Sequence, residues 1–456
     1  MNNQHLLDRA YGLISNKTFS RTTTSPFVHT LHATTTNFSH GLPSFEEPHR
    51  QRPAHVAGVS AMTIDRFEGR YLLSGGVDSS VAIWDLEAQA TTSELFQPHL
   101  PLSANAKTSD EHKLGITQVA FYPFDSLAFL TSSYDHFVKV YASETLATSA
   151  VFHLDTVVYN IALSTIASHL LVACATQDPN VRLIDLRSGA NTHSLAGHSG
   201  AVLSTAWSPI HEHILVSGAT DGSVRFWDIR RSVGELGVLD LENSVGVRSS
   251  ATISSRGAVS QAHRGAVNGV VWTEDGRHLV TCGHDQRVRV WDTETGANTL
   301  ANFGPMIRNY SLTPCTPILA PSQTVHSTTD VLFYPNEQEI LSYELLEGKL
   351  IRRLRRANIE EFTLAPESTT SKSHRYTKDR ITALAWRAHD IEMYSAHGDG
   401  SIIAWKPRTE EDAVLDEEDE HERKSLEVGK KRKRGILDNI YKDLTEGRFS
   451  LSGTAT

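Results

Sequence analysis

The stretch 197–230 constrains the fold more than any other part of the chain. It opens with Gly197-His198 and closes with Trp227-Asp228. Between these dipeptides, three runs in which apolar and polar residues alternate are separated by turn residues: 201–207, Ser208-Pro209, 213–218, Asp221-Gly222 and 224–228. Alternation with a period of two predicts strands, and the two breaks predict tight turns. The stretch therefore predicts one unit of short antiparallel strands.

Copies of this unit recur along the chain. Asp221 lies six residues before Trp227, and the same offset joins an acid to an aromatic or aliphatic residue at Asp78–Trp84, Asp135–Tyr141, Asp178–Ile184, Asp285–Trp291, Glu337–Tyr343 and Asp399–Trp405. A histidine with a β-branched residue four positions later occurs at His55, His112, His153, His198 and His263. Copies at this spacing indicate a repeat architecture. Seven of them predict a ring of seven sheets.

The Gly-His and Trp-Asp dipeptides resemble those of WD40 repeats. The resemblance implies an all-β, seven-bladed WD40 β-propeller whose blades each have four strands. In such blades a histidine, a serine or threonine, an aspartate and a tryptophan hydrogen-bond in series. We expect this structural tetrad at His198, Ser217, Asp221 and Trp227. The repeated histidines are therefore expected to have structural roles, rather than to bind a metal or act in acid–base chemistry.

Three regions are predicted in chain order. Residues 1–20 form an N-terminal helical segment, whose helix over 2–15 carries Leu6, Leu7 and Tyr11, and a Ser/Thr-rich break follows it. Residues 26–408 form the propeller, in which 26–34 supply the outer strand that the last blade lacks. Residues 409–456 form a charged, disordered tail. An N-terminal strand in the last blade would leave the ring without an open edge.

Composition adds limits on location and chemistry. The formal net charge is −10, but acidic residues are concentrated in 410–422 and are followed by Lys430, Lys431, Arg432, Lys433 and Arg434. This basic run predicts nuclear import, with a solvated tail or nonspecific nucleic-acid contact as alternatives. The chain has three cysteines without metal-ligand spacing, which we expect to be reduced core residues. No run of apolar residues is long enough to predict a transmembrane helix.

The sequence predicts binding rather than catalysis. It contains no nucleophile motif, phosphate-binding loop or metal-spaced His/Cys cluster, so we expect no cofactor and no catalytic residue. A propeller of this kind is usually a protein-binding platform. A second basic cluster, 352–356, is expected to lie on an exposed outer strand rather than to bind DNA, so direct DNA contact is expected to be minor or absent.

Two consecutive units share a feature that the fold does not need. Asp185-Leu186-Arg187 and Asp228-Ile229-Arg230 place an acid and an arginine two residues apart, which predicts that they share a strand face. They resemble the WDxR box with which WD40 substrate receptors dock onto the cullin-4 ubiquitin-ligase adaptor, a damaged-DNA-binding multi-propeller protein. A guanidinium suits paired hydrogen bonds to carboxylates or carbonyls at an interface. The alternative is a pair of exposed arginines without a partner.

The chain over 55–405 resembles the Cockayne syndrome A family, on the stretches 67–76, 227–232 and 264–300. The resemblance implies the non-catalytic substrate-recognition subunit of a cullin-4 RING E3 ubiquitin ligase in transcription-coupled nucleotide excision repair. It implies adaptor binding through 1–20 and the two arginines, and further partners in a Cockayne syndrome B-type ATPase and stalled RNA polymerase II. The alternative is a generic nuclear WD40 scaffold for chromatin or ribosome assembly.

Overall fold

The computed structural model describes residues 3–34, 38–40, 53–87, 99–104, 111–231, 234–241, 260–325, 330–356, 380–387 and 389–408. The predicted tail 409–456, with the predicted import signal at 430–434, lies outside the described residues. No helix within them is long and apolar enough to cross a membrane.

The N-terminal segment forms two helices, α1 (Asn3–Ala10) and α2 (Asn16–Val28), followed by the short strand β1 (Leu31–Ala33). Two predictions were wrong here, because the Ser/Thr-rich stretch is helical and 26–28 belong to α2 instead of a strand. The Ser15 side chain caps α2 by accepting a hydrogen bond from the Thr18 backbone N–H, which satisfies a free helix-end donor. Phe19 and Val28 are the buried residues of α2. Burial of these two residues anchors the helix.

Seven antiparallel sheets form the rest of the fold and confirm the predicted seven-bladed β-propeller. Blade 1 contains β2 (Val59–Ile64), β3 (Tyr71–Gly76), β4 (Val81–Asp85) and β5 (Pro101–Ala104). Blade 2 contains β6 (Ile116–Phe121), β7 (Ala128–Ser133), β8 (Phe137–Ala142) and β9 (Thr148–His153). Blade 3 contains β10 (Val158–Leu163), β11 (Leu171–Thr176), β12 (Asn180–Asp185) and β13 (Ala190–Ala196). Blade 4 contains β14 (Val202–Trp207), β15 (Ile214–Ala219), β16 (Val224–Asp228) and β17 (Glu235–Val238).

The remaining blades depart from this pattern in places. Among the described residues, blade 5 has the three strands β18 (Val267–Trp272), β19 (His278–Gly283) and β20 (Arg287–Asp292). Blade 6 contains β21 (Ile318–Leu319), β22 (Val331–Pro335), β23 (Glu339–Glu344) and β24 (Leu350–Arg355). Blade 7 contains β25 (Ile381–Trp386), β26 (Met393–His397) and β27 (Ile402–Pro407), and its fourth strand is β1.

Strand β1 joins the start of the propeller to its last blade. It pairs antiparallel with β27, so that Leu31 lies opposite Pro407 and Ala33 opposite Trp405. Leu31 is fully buried, and it packs in one apolar cluster with Trp405 of β27 and Leu354 of β24. The strand begins at Leu31 rather than at the predicted residue 26, since helix α2 continues to Val28.

The core lies between neighbouring blades. Between blades 3 and 4, for example, Val181 and Leu183 of β12 pack against Val202, Leu215 and Trp227 of blade 4. The inward alternation of apolar residues on each strand provides these layers, and each layer joins two blades. The three cysteines, Cys174, Cys282 and Cys315, are buried and free.

Candidate protein interface

Blade 4 contains the complete polar chain that its sequence predicts. The Ser217 hydroxyl oxygen accepts a hydrogen bond from Trp227 Nε1 at 2.7 Å and lies 2.7 Å from His198 Nε2. His198 Nδ1 lies 2.9 Å from the Ser223 hydroxyl, which donates to Asp221 at 2.6 Å. Because a carboxylate only accepts, the protons run from Trp227 toward Asp221, with His198 neutral and protonated at Nδ1. The sequence did not predict that Ser223 lies between histidine and aspartate.

Blades 1, 2 and 5 repeat this arrangement around His55, His112 and His263. The Nε2 atom of each histidine lies 2.7 Å from the hydroxyl of Ser74, Thr131 or Thr281. In blade 5, Nδ1 of His263 lies 2.9 Å from Asp285, and Trp291 Nε1 donates to Thr281 at 2.9 Å. Serine and threonine are therefore interchangeable at the centre of the chain.

Two blades differ from the pattern predicted for the histidines. His153, expected to have a structural role like the others, lies on the outer strand β9 with a half-exposed side chain, and its Nδ1 atom is 2.9 Å from a carboxylate oxygen of Asp155. Blade 3 carries Cys174 in place of the serine, so it has no hydroxyl at that position to link a histidine. In blade 7, His397 of β26 lies 3.0 Å from the Ser395 hydroxyl, which accepts from Trp405 Nε1 at 2.8 Å. His397 thus partners the blade-7 serine from the strand itself.

Burial sets the charge state of these chains. Desolvation lowers the pKa of His198 and of His263 below the usual histidine value, in spite of the nearby aspartates. Although burial opposes ionisation, hydrogen bonds from His198 and Ser223 hold the pKa of Asp221 well below its usual range. At neutral pH the histidines are therefore uncharged and the aspartate is ionised, as the directions of the hydrogen bonds require.

Arg230 is presented to solvent by the carboxylate two residues before it. Its Nε and Nη2 atoms donate to the two oxygens of Asp228 at 3.0 and 2.9 Å, while 64% of its side chain is exposed. Asp228 is buried, and the Arg230 guanidinium lowers its pKa. One edge of the guanidinium is thus fixed by the blade, and the opposite edge faces outward in a defined orientation.

Arg187 occupies the corresponding position in blade 3. Its side chain is exposed, and its backbone N–H donates to Asp185 at 3.0 Å. This hydrogen bond is the main cause of the lowered pKa of Asp185. The prediction that each acid and arginine share a strand face was wrong, because β12 ends at Asp185 and β16 at Asp228. Both arginines lie in the turns that follow, at the end of the blades that we call the Trp-Asp end.

A loop contact that the sequence did not predict joins blades 3 and 4 at the same end. The backbone N–H and the hydroxyl of Ser168 both donate to Glu212 at 3.0 Å, and His169 Nε2 donates to the Glu212 carbonyl at 2.8 Å. Glu212 also attracts Arg230 electrostatically. These residues occupy turns between strands, where the repeat spacing carries no information about contacts.

The N-terminal helix leaves its apolar residues in solvent. Leu6, Leu7 and Tyr11 are 45%, 56% and 78% exposed. Arg9 is held by Asn16, with its Nε 3.0 Å from the amide oxygen, and it lies over the Phe19 ring. Helix α1 is therefore joined to α2 by a polar contact, and the three predicted adaptor-binding residues are unburied.

The basic cluster 352–356 lies on β24 and is largely paired. Arg353 and Arg355 both donate to Glu339, at 2.7–2.9 and 2.8 Å, and Arg356 donates to Asp399 at 2.9 Å. Arg352 donates to the His29 carbonyl at 3.0 Å. Phosphate binding requires several free cations on one face, and these arginines are engaged within the protein.

Seven antiparallel blades, four of which contain an internal His–Ser/Thr–Trp chain in the part of the protein that the structure describes, define a WD40-repeat β-propeller, a class that typically provides a non-catalytic scaffold for protein binding. The family model "WD domain, G-beta repeat" matches residues 46–85, 105–142, 189–228 and 255–292. These matches include the first three strands of blades 1, 2, 4 and 5.

Similar proteins fall into more than one functional group. The chain is 29% identical over 440 residues to the WD repeat-containing protein ATCSA-1 of Arabidopsis thaliana, covering 82% of this chain and 90% of that protein. It is 26% identical over 277 residues to the ribosome biogenesis protein ytm1 of Neurospora crassa, covering 52% of this chain and 54% of the relative. The radiation-sensitive protein 28 of Saccharomyces cerevisiae is 26% identical over 212 residues, with 43% and 41% covered.

Proposed function

We propose that this protein is the substrate-recognition subunit of a cullin-4 RING E3 ubiquitin ligase that acts in transcription-coupled nucleotide excision repair. In this proposal the propeller is a non-catalytic subunit that binds other proteins. One end docks onto the multi-propeller adaptor of the ligase, and the remaining surface binds a Cockayne syndrome B-type ATPase and the stalled RNA polymerase II. The residues proposed to bind the adaptor are Leu6, Leu7, Tyr11, Asp185, Arg187, Asp228 and Arg230.

The observation that carries the proposal is the presentation of Arg230. An arginine that only stabilised the blade would be expected to have both edges of its guanidinium engaged within the fold. Asp228 fixes one edge, and 64% of the side chain remains in solvent. A pre-oriented guanidinium loses less conformational entropy when it binds a carboxylate or carbonyl of a partner. Arg187, in the adjacent blade, extends the same surface.

The N-terminal helices support the same docking end. The Thr24 hydroxyl donates to the Thr324 carbonyl at 2.8 Å, in the turn between β21 and β22. Leu31 lies opposite Pro407, just beyond Trp405. Helix α2 therefore contacts the Trp-Asp end of blades 6 and 7, the same end from which Arg187 and Arg230 project. An exposed apolar helix face and two exposed arginines on one end suit a large protein partner.

The similarity to ATCSA-1 supports this assignment, since it spans 82% of the chain and 90% of that protein. The pairing of Arg353 and Arg355 with Glu339 supports a role in which direct DNA contact is minor or absent. We propose a nuclear location on the basic run Lys430-Lys431-Arg432-Lys433-Arg434, which lies outside the described residues.

The test is co-purification of the full chain with the cullin-4 adaptor. We expect Arg230→Glu to weaken adaptor binding by about tenfold or more, because reversing the charge removes the outward donors and repels the partner's acceptors. Leu7→Asp on α1 should weaken it independently. Arg264→Glu is the matched control, since Arg264 is exposed and follows His263 at the opposite end of the blades.

Undiminished recovery of the adaptor with a variant that combines Arg230→Glu and Leu7→Asp would refute the docking surface. As a control for folding, the thermal unfolding midpoint of each variant is compared with that of the wild type, and an equal midpoint shows that the fold is retained. Failure of the wild-type protein to bind any cullin-4 component would refute the ligase assignment itself.

The second candidate is a nuclear scaffold for ribosome or chromatin assembly. The similarity to ribosome biogenesis proteins favours it, although the chain spans about half the length of those relatives. This candidate predicts recovery with pre-ribosomal particles or histones and without cullin. One affinity purification followed by mass spectrometry therefore distinguishes the two functions.

A further inference from the structure

Within the residues that the structure describes, blade 5 has three strands where each of the other six sheets has four. Its third strand, β20, is consequently the outer edge of the sheet. Asn298 forms a single bridge with Trp291, and the Thr299 N–H donates to the Val290 carbonyl at 2.9 Å. The chain then turns away at Leu300, which has a positive φ of 59° and is 74% exposed. The chain therefore begins to pair with β20 as an outer strand, but this pairing stops after Thr299.

The rest of the edge has free hydrogen-bonding groups. Asp292 donates outward to Ala297, and Val290 accepts outward from Thr299. Because backbone groups alternate along a strand, Val288 is the next residue whose N–H and C=O face outward. Within the part of the chain that the structure describes, no backbone hydrogen bond reaches the outer side of Val288.

Blade 4 shows what normally occupies this position. There the Leu239 N–H donates to the carbonyl of Val224 at 3.0 Å, and Val238 lies opposite Arg225 in the antiparallel strand β17. Val224 precedes Trp227 by the same number of residues as Val288 precedes Trp291. Val238 and Leu239 are both buried. Among the described residues of blade 5, no strand residue takes these positions, and Phe303 and Ile307 of the departing chain pack in one apolar cluster with Val288 and Val290 instead.

A cavity of about 550 Å³ lies along the unpaired edge. Its lining includes Arg287, Val288 and Arg289 of β20, together with Leu300 and Phe303 of the departing chain. Val288 and Phe303 are buried and Leu300 is exposed, so the cavity offers apolar contacts beside the free backbone groups. Pockets of this volume accommodate several side chains of a bound ligand.

The rim of the cavity is positively charged. Arg264 and Arg287 are exposed on it, whereas Arg289 is neutralised by Asp285 at 2.7 Å. The three arginines and the one aspartate that line the cavity leave an excess of positive charge, which complements an acidic ligand. An unpaired strand edge needs both donors and acceptors at strand spacing. A peptide backbone supplies both, whereas a phosphate backbone supplies only acceptors.

We propose that blade 5 binds an extended acidic segment of a partner protein, which adds a fourth, antiparallel strand to β20. Its backbone pairs with Val288, its apolar side chains enter the cavity beside Leu300 and Phe303, and its carboxylates face Arg264 and Arg287. This site lies at the histidine end of the blade, opposite to the Trp-Asp end that contains Arg230. It therefore does not depend on the proposed ligase function.

The experiment measures binding of fluorescein-labelled peptides to the full chain by fluorescence anisotropy. The probe is a peptide of alternating valine and glutamate, compared with one of alternating valine and lysine and with an N-methylated form of the acidic probe. We expect the acidic probe to bind, the lysine peptide not to bind, and N-methylation to abolish binding because it removes the strand-pairing donors.

Two sets of variants locate the site. Arg264→Glu combined with Arg287→Glu should weaken binding of the acidic probe by about tenfold or more, since both side chains are exposed and their reversal opposes the ligand charge. Arg277→Glu is the matched control, because Arg277 is an exposed arginine at the other end of blade 5. Hydrogen exchange at the amides of 287–289 should slow when the probe is bound.

Absence of binding to the wild-type chain, equal binding of the lysine peptide, or unchanged binding of the N-methylated probe would overturn the proposal. Unchanged affinity in the double variant would overturn it as well. Adaptor co-purification is measured on the same double variant and is expected to be unaffected. Loss of peptide binding and loss of adaptor binding are therefore distinguishable.

Discussion

The Ser217 hydroxyl is the centre of the blade-4 polar chain, and removing it tests the energetic reasoning most directly. In the wild type, Trp227 Nε1 and His198 Nε2 each lie 2.7 Å from the Ser217 hydroxyl oxygen. In Ser217→Ala, Trp227 Nε1–H loses its acceptor and His198 Nε2 loses its donor. Both groups are buried, so water does not replace the hydroxyl. Each unpaired buried polar group costs about 1–3 kcal/mol, so the two groups together lower the free energy of unfolding by about 2–6 kcal/mol.

The assay is thermal and urea unfolding followed by circular dichroism. At about 2 °C per kcal/mol for a domain of this size, the thermal midpoint should fall by roughly 4–12 °C. The matched control is Ser217→Thr, because Thr281 of blade 5 already makes both the histidine and the tryptophan contact. It should stay within about 1 kcal/mol of the wild type. Equal losses in both variants, or a loss below about 0.5 kcal/mol in the alanine variant, would refute the reasoning.

Three further changes test other parts of the fold. Burial lowers the folded-state pKa of His198 and His263, so these histidines take up protons more readily in the unfolded chain. The free energy of unfolding should therefore fall as the pH decreases through about 6.5, and urea midpoints measured at several pH values would show this. Gly222→Ala should destabilise by about 1–3 kcal/mol in thermal unfolding, because Gly222 has a φ of 78° and a Cβ there would meet the His263 carbonyl. Ser15→Ala should cost α2 about 1 kcal/mol and speed hydrogen exchange in its first turn.

Repeat spacing predicted most of the ring. The six-residue offset between Asp221 and Trp227 follows from a tight turn and one strand, so it places the polar chain without further information. His153 has the same local spacing but lies on the outer strand β9. Blade 3 has Cys174 at the position of the serine or threonine, so it has no hydroxyl there that could hydrogen-bond to a histidine. A short repeat signature therefore predicts where a residue lies in the chain, but it does not show whether the next blade supplies a hydrogen-bonding partner for it.

Features that depend on contacts distant in sequence were not predictable. Residues 26–28 are compatible with a strand locally, but the cap at Ser15 and burial of Phe19 and Val28 favour the helix. The missing outer strand of blade 5 follows a complete Trp291-Asp292 signature, which ends before that strand begins. For the candidate interface, the sequence located Arg187 and Arg230 but not the turns that hold them, since β12 and β16 each end two residues before the arginine.

The pairing of β1 with β27 has a consequence for biosynthesis. Residues 31–33 leave the ribosome early, whereas the strand they pair with, 402–407, is among the last parts of the propeller to be translated. Domains generally fold as their sequence emerges, but here Leu31 has no apolar surroundings in its own blade until translation of that blade is complete. The segment 31–33 therefore stays unpaired while blades 1 to 7 are translated. During this time a chaperone that covers Leu31 would reduce aggregation of the nascent protein.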